Sequence, residues 1–228
     1  MATARSTLDR EFGEIRDNIL RLGSLLDTAI DRSIQALKTH DQALAQQIIA
    51  DDQIINNLRF TIEEECLALI ATQQPMASDL RAVIVAMNIV NDMERMGDHA
   101  TGIAKTVIRM ANEPPLALVV DIPRMADLAR KMLKQALDAY LTQDTQFARS
   151  VAERDDEIDH LYNQIFREIL ASMVADPKTT TRGTYLLWVG HNLERIGDRV
   201  TNIAERVIYM NTGTMQELNT KASGQTGN

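Results

Sequence analysis

The feature that most constrains this chain is that it repeats itself. Residues 86–110, AMNIVNDMERMGDHATGIAKTVIRM, and residues 186–210, LLWVGHNLERIGDRVTNIAERVIYM, align without a gap at an offset of 100. Ten of the 25 positions are identical: Glu94/Glu194, Arg95/Arg195, Gly97/Gly197, Asp98/Asp198, Thr101/Thr201, Ile103/Ile203, Ala104/Ala204, Val107/Val207, Ile108/Ile208 and Met110/Met210. An earlier segment repeats at an offset of 103, pairing Asp52, Ile55, Asn56, Leu58, Ile62 and Leu67 with Asp155, Ile158, Asp159, Leu161, Ile165 and Leu170. The offset changes between Pro75 and Pro177, where a loop tolerates an insertion. The 228 residues therefore read as two copies of one unit, each about 100 residues long and able to bury a modest core.

Composition says what the unit is made of. Aromatics are 4% of the chain and there are only 10 Gly, while Ala, Leu, Ile, Met, Glu, Gln and Arg abound. These are helix formers, and strands and their turns want the opposite. The five prolines fall at Pro75, at Pro114, Pro115 and Pro123, and at Pro177. Proline is tolerated in a helix's first turn and rarely inside it, so Pro75 and Pro177 read as helix starts and 114–123 as the main linker. Thr39-His40-Asp41 and Thr142-Gln143-Asp144 share a pattern that places an Asp where a new amphipathic run begins.

The expected fold class is all-α, a tandem of two pseudo-symmetric three-helix bundles. Six long antiparallel helices are predicted at roughly 6–39, 41–73, 76–112, 119–142, 144–175 and 177–211. The first bundle covers 6–112 and the second 116–211. The polar tail, 212–228, reads as disordered.

With 32 acidic against 24 basic residues the net charge is -8, which disfavours nucleic acid as a partner. The single cysteine, Cys66, forms no internal disulfide and fits a reducing compartment. Residues 1–10 lack the apolar core of a signal peptide, and the apolar run at 83–87 falls far short of the roughly 20 residues that span a bilayer. The expectation is a cytoplasmic protein that meets membranes only through partners.

Plotted at about 100° per residue, Ile89, Met93, Met96, Ala100, Ile103, Ala104 and Val107 form one core-facing stripe. Val189, Leu193, Ile196, Val200, Ile203, Ala204 and Val207 repeat it. Gly97 and Gly197 sit beside the stripe, where another helix can come close. Glu94 and Asp98, at i and i+4, share the opposite side, as do Glu194 and Asp198. His191, Asn202 and Glu205 extend the second acidic stripe, whereas the first has Asn91, Gly102 and Lys105 at those places. By this count the second stripe is the richer in ligands.

Two carboxylates at i, i+4 repel by a few tenths of a kcal/mol, a cost that a bridging cation removes. Oxygen-rich sets with an occasional imidazole suit Mg, Mn or non-haem Fe, and Zn with His support. A lone E-x-x-x-D is more often a solvated face; its retention in both copies raises the metal reading. Asp155 and Asp159, with Asp52 and Asn56 in the first copy, form a second acceptor set whose convergence with the first cannot be read from spacing. Arg95 and Arg195 are expected to neutralise the stripes. His40, His99 and His160 are expected at the surface, and the methionines are expected to fill the core. Trp188 is expected to pack against a neighbour or form a partner surface. No phosphate-loop, dinucleotide, hydrolase-elbow or C-x-x-C motif occurs, so nucleophilic catalysis has no candidate. The enzyme alternative is a carboxylate-bridged di-metal oxidase. It expects two Glu-x-x-His pairs in one bundle core, against a single His191-x-x-Glu194 here. A generic helical metal-binding scaffold is the other.

Q-Q-P-M-A-S-D-L-R at 73–81, followed by E-R-M-G-D at 94–98 and E-R-I-G-D at 194–198, resembles the PhoU family across nearly the whole chain, from Phe12 to Met210. The resemblance implies a non-enzymatic, cytoplasmic negative regulator of the phosphate-starvation response. Such a protein links a phosphate ABC transporter, through its ATPase, to the sensor histidine kinase of the phosphate two-component system. It implies multinuclear metal clusters on Glu94, Asp98, Glu194 and Asp198. It also implies a homodimer.

Overall fold

The computed structural model describes residues 2–113 and 121–218, with side chains from Ser6 onward. Its helices are α1 (Ala2–Thr39), α2 (Gln42–Gln73), α3 (Ser78–Arg109), α4 (Asp121–Thr142), α5 (Thr145–Ala152), α6 (Asp155–Ala175) and α7 (Thr180–Thr212), with a 3-10 turn at Pro177–Thr179 before α7. No strand occurs among the described residues. The predicted start of the second unit at residue 116 lies outside them, as do residues 219–228 of the tail.

The breaks follow the turn chemistry. Asp41 accepts the Leu44 N–H, Asp144 accepts the Gln146 and Phe147 N–H groups, and each is preceded by a residue of positive φ, His40 at 53° and Gln143 at 56°. This is one capped corner used twice, once in each unit. At Pro177 the capping carboxylate is Asp176, which accepts from Lys178 N–H. At Pro75 the third helix starts two residues later than predicted, at Ser78, without a side-chain cap. The fifth predicted helix is two helices: the chain breaks at Glu153-Arg154 between α5 and α6. Beyond α7 the chain turns at Gly213 and runs back, so that Leu218 N–H donates to Glu205 at 2.6 Å. Leu218 thereby packs against the core, while residues 213–217 stay exposed.

Helices α1, α2 and α3 form the first bundle, and α4, α5–α6 and α7 the second. Every residue of the two predicted stripes is buried, from Ile89 to Val107 and from Val189 to Val207. At about 1.5–3 kcal/mol for each large apolar side chain removed from water, these stripes hold each third helix in its unit. The units meet along α3 and α7, which run antiparallel, and again where α1 lies along α4. On that second line Arg130 reaches from α4 to Asp27 and Asp31 of α1, at 2.8 and 2.6 Å. The third helices are thus the centre of the molecule, and both carry the repeated carboxylates.

Candidate functional site

Each carboxylate stripe lies where its third helix passes the middle helix of the same unit. The glycine of the E-R-x-G-D motif allows the approach. A Cβ on Gly97 would sit 3.3 Å from Asp52 Oδ1, and a Cβ on Gly197 would sit 2.9 Å from Asp155 Oδ1. The packing role expected of these glycines and the acceptor role of the middle helices are one arrangement. The glycine seats a third carboxylate beside the E-x-x-x-D pair.

In the first unit the set is Asp52, Glu94 and Asp98. Asn56 Nδ2 donates to Asp52 Oδ2 at 3.0 Å, and the nearby Thr101 side chain also favours the charged carboxylate. Burial, and then the nearby Asp98 charge, raise the Asp52 pKa above the ordinary carboxylate value against the pull of those side chains. Burial and Asp98 raise Glu94 likewise, with Asp52 adding a smaller push, while Arg59 and Arg95 oppose it. Arg59 itself pairs with Glu63 at 3.1 Å and donates to Asn91 Oδ1 at 2.8 Å.

In the second unit the set is Asp155, Glu194 and Asp198, and its surroundings differ. Arg195 Nη1 lies 2.6 Å from Asp198 Oδ2, which is the neutralising role expected of that arginine. His191 Nδ1 stands 3.6 Å from Glu194 Oε2, yet 58% of the His191 side chain is exposed, so the pair looks outward and not into a bundle core. Where the first unit has Arg59, the second has Tyr162. Burial raises its phenol pKa, and the Glu194 charge raises it further.

Two residues of the predicted second stripe are engaged elsewhere. Asn202 Nδ2 donates to Asp92 Oδ1 of α3 at 3.1 Å, beside Arg199 on the same oxygen, also at 3.1 Å. Glu205 accepts the Leu218 N–H. The pseudo-symmetric counterpart of the Asp92 contact is His99, whose Nδ1 lies 3.0 Å from Asn192 Oδ1. His99 is therefore half-buried in the seam, not at the surface as expected. Burial lowers its pKa, as do Arg195 and Arg199, against the Asn192 bond. Gly102, the counterpart of Asn202, leaves room for Asn192, since a Cβ there would be 2.9 Å from Asn192 Oδ1. His40 and His160 stay outside the seam. Asp159, four residues on from Asp155, is part-buried on α6. Trp188 is half-exposed, with the Arg109 guanidinium 5.7 Å from its ring centre.

The donors are carboxylate oxygens, the kind an oxygen-preferring divalent ion takes, but the approach at each glycine is close, with a Cβ meeting the middle helix at 3.2 Å at Gly97 and 2.8 Å at Gly197. Among the described residues no three His, Cys, Asp or Glu side chains are drawn around one point, so the like charges stand apart. Also among the described residues, no helix is long and apolar enough to cross a membrane.

Fold and site together define a class: an all-helical duplicated scaffold whose polar features are carboxylate clusters and an inter-unit seam. Comparison with known proteins makes the class specific. The PhoU domain matches residues 19–107 and 122–207, one match in each unit. The chain is 40% identical over 213 residues to a phosphate-specific transport system accessory protein PhoU homolog of Rhizobium meliloti, covering 93% of this chain and 90% of that one. A Clostridium acetobutylicum protein of the same name is 39% identical, with 94% and 99% covered. The crystal structure of PhoU from Pseudomonas aeruginosa superposes with a TM-score of 0.85 at 36% identity, covering 90% and 99%. That of the phosphate transport system regulatory protein PhoU from Streptococcus pneumoniae gives 0.85 at 34%, covering 92% and 99%. This chain belongs to the PhoU family.

Proposed function

We propose that the protein is an accessory regulator of phosphate-specific transport that acts by docking and not by catalysis. It holds the phosphate ABC transporter and the sensor histidine kinase of the phosphate response in a repressed complex when phosphate is plentiful. The observation that carries this reading is the end-to-end likeness, in both units, to proteins named as phosphate-specific transport accessory proteins. A cytoplasmic location and a homodimer belong to the same reading. So do cations on the carboxylate clusters, with Asp52, Glu94 and Asp98 in one unit and Asp155, Glu194 and Asp198 in the other as the ligands. A bound cation would supply positive charge that lets like-charged side chains approach, stiffening the meeting of the middle and third helices.

The test is co-purification. Tagged full-length protein, drawn from cells grown in high phosphate, is expected to bring down the transporter ATPase or the kinase. Recovery of neither after mild crosslinking would contradict the docking reading.

A further inference from the structure

Large apolar side chains meet solvent on one layer of the molecule. Among the described residues neither α1 nor α4 exposes one; they stand on α2, α3, α6 and α7 and on the short segments that adjoin these helices. In the first unit they are divided, with Ile54, Phe60 and Leu67 on α2 and Leu80 and Ile84 on α3. On α6 they are gathered. Phe166, Leu170 and Val174 are 41%, 46% and 77% exposed and recur at every fourth residue, so they follow one helix face. The Tyr162 ring, 6.5 Å from that of Phe166, carries the stripe one turn further, to a length of about 18 Å at a rise of about 1.5 Å per residue. The equivalent positions of α2 are Arg59, Glu63, Leu67 and Ala71. Trp188, half-exposed on α7, the helix against which α6 packs, adds aromatic surface. Apolar side chains exposed one at a time are ordinary, whereas a stripe continuous along one helix leaves in water a surface that another helix would cover.

Charge selects the occupant. Helix α6 carries five carboxylates and one arginine, Arg167. Asp156, Glu157 and Asp159 fall near its start, and Asp159, seven residues before Phe166, lies on the face of the stripe. A second copy of this chain would set acid against acid across such a contact, and an anionic lipid surface would be repelled in the same way. We propose that this face of α6 docks a basic amphipathic helix of a partner protein. The partner's apolar residues lie along Phe166, Leu170 and Val174, and its Lys and Arg side chains meet the acidic start of α6. This rests on the docking reading, and deepens it by naming the surface and the chemistry of what binds there.

The experiment uses the full chain and a fluorescein-labelled amphipathic peptide of leucine and lysine, about 15 residues long so that its helix spans the stripe, with binding read by fluorescence anisotropy. The unaltered protein is expected to bind it. Phe166→Gln/Leu170→Gln is expected to weaken binding about tenfold or more, and Leu67→Gln, at the equivalent place on α2, to leave it unchanged. A peptide of leucine and glutamate in the same pattern is expected not to bind. Glutamine is a good helix former and both replaced side chains face solvent, so the double variant is expected to melt with the parent. Equal binding of the lysine peptide by Phe166→Gln/Leu170→Gln, or binding of the glutamate peptide as tightly, would overturn the assignment. So would a dimer of the unaltered protein that the same substitutions turn into a monomer in sedimentation, which would give the face to a second copy. In cells, equal recovery of the transporter ATPase or the kinase with parent and double variant would overturn the face while leaving docking standing. Recovery of neither with the parent, beside the expected peptide result, would contradict the docking reading alone.

Discussion

Arg81 Nε donates to the carbonyl oxygen of Met210 at 2.9 Å, tying the first turn of α3 to the last turn of α7 across 129 residues of sequence. Its guanidinium also stands 6.0 Å from the Tyr209 ring centre. At the other end of the seam Arg182 of α7 stands 4.0 Å from Glu113, just past the end of α3. Each third helix therefore carries, near its start, an arginine directed at the finish of the other. The arginine of Q-Q-P-M-A-S-D-L-R thereby has a role in joining the units.

The first prediction concerns that tie. Arg81→Ala removes a charge-assisted hydrogen bond to a carbonyl that has lost its helical partners at a helix end, and is expected to cost about 1.5 kcal/mol. Urea unfolding followed by far-UV circular dichroism reads it. A loss within about 0.3 kcal/mol would mean that water serves Met210 as well.

The two cradle glycines should respond differently to a methyl group. At Gly97 the nearest atoms to a Cβ lie at 3.2 and 3.3 Å, so a small shift of Ile55 and Asp52 accommodates it. At Gly197 they lie at 2.8 and 2.9 Å, on Ile158 and Asp155. Alanine gains about 1 kcal/mol over glycine in a helix interior, which offsets the mild crowding at 97. At 197, overpacking of about 1–3 kcal/mol should exceed the gain. Thermal unfolding is expected to leave Gly97→Ala near the parent and to lower Gly197→Ala by several degrees. The reverse order would contradict the cradle geometry.

Stability should carry a mark of the first cluster as pH changes. Asp52 and Glu94 have folded pKa values above their unfolded ones, so their contribution is fully present below the ordinary carboxylate pKa, about 4. It is lost as pH rises through the raised values. Glu94→Gln is therefore expected to be more stable than the parent at pH 7 by a few tenths of a kcal/mol, and the difference to shrink toward pH 4. Equal stability of the two proteins at both pH values would show that the repulsion is screened.

Cys66 is fully buried, and burial, helped by Glu65 and Glu63, pushes its thiol up to about 12. Because the thiolate is the reactive form, a disulfide-exchange reagent at pH 8 is expected to label native protein only as fast as the chain opens. In 8 M urea labelling should be complete within minutes, with one thiol per chain. Rapid labelling of the native state would place α2 differently.

Much of this fold could be read before any coordinates. Helix faces follow from periodicity, and the corners at Asp41 and Asp144 follow from side-chain capping, both local effects. The break at Glu153-Arg154 escaped because neither proline nor glycine marks it. Glu94, Asp98, Glu194 and Asp198 were legible as repeated pairs. That Asp52 and Asp155 join them was not, since the joining depends on how closely two helices pass. The partners of Asn202, Glu205 and His99 were not legible for the same reason. A helical wheel gives each side chain a direction but not the neighbour it meets there, and here the neighbours are α3, the 213–218 segment and α7.

The central claim is that this chain restrains the phosphate response through the transport system without chemistry of its own. The most direct test is phosphate-responsive transcription in cells from which the gene has been deleted, grown with abundant phosphate. The account predicts derepression, reversed by the unaltered gene. Normal repression in the deletion strain would contradict it.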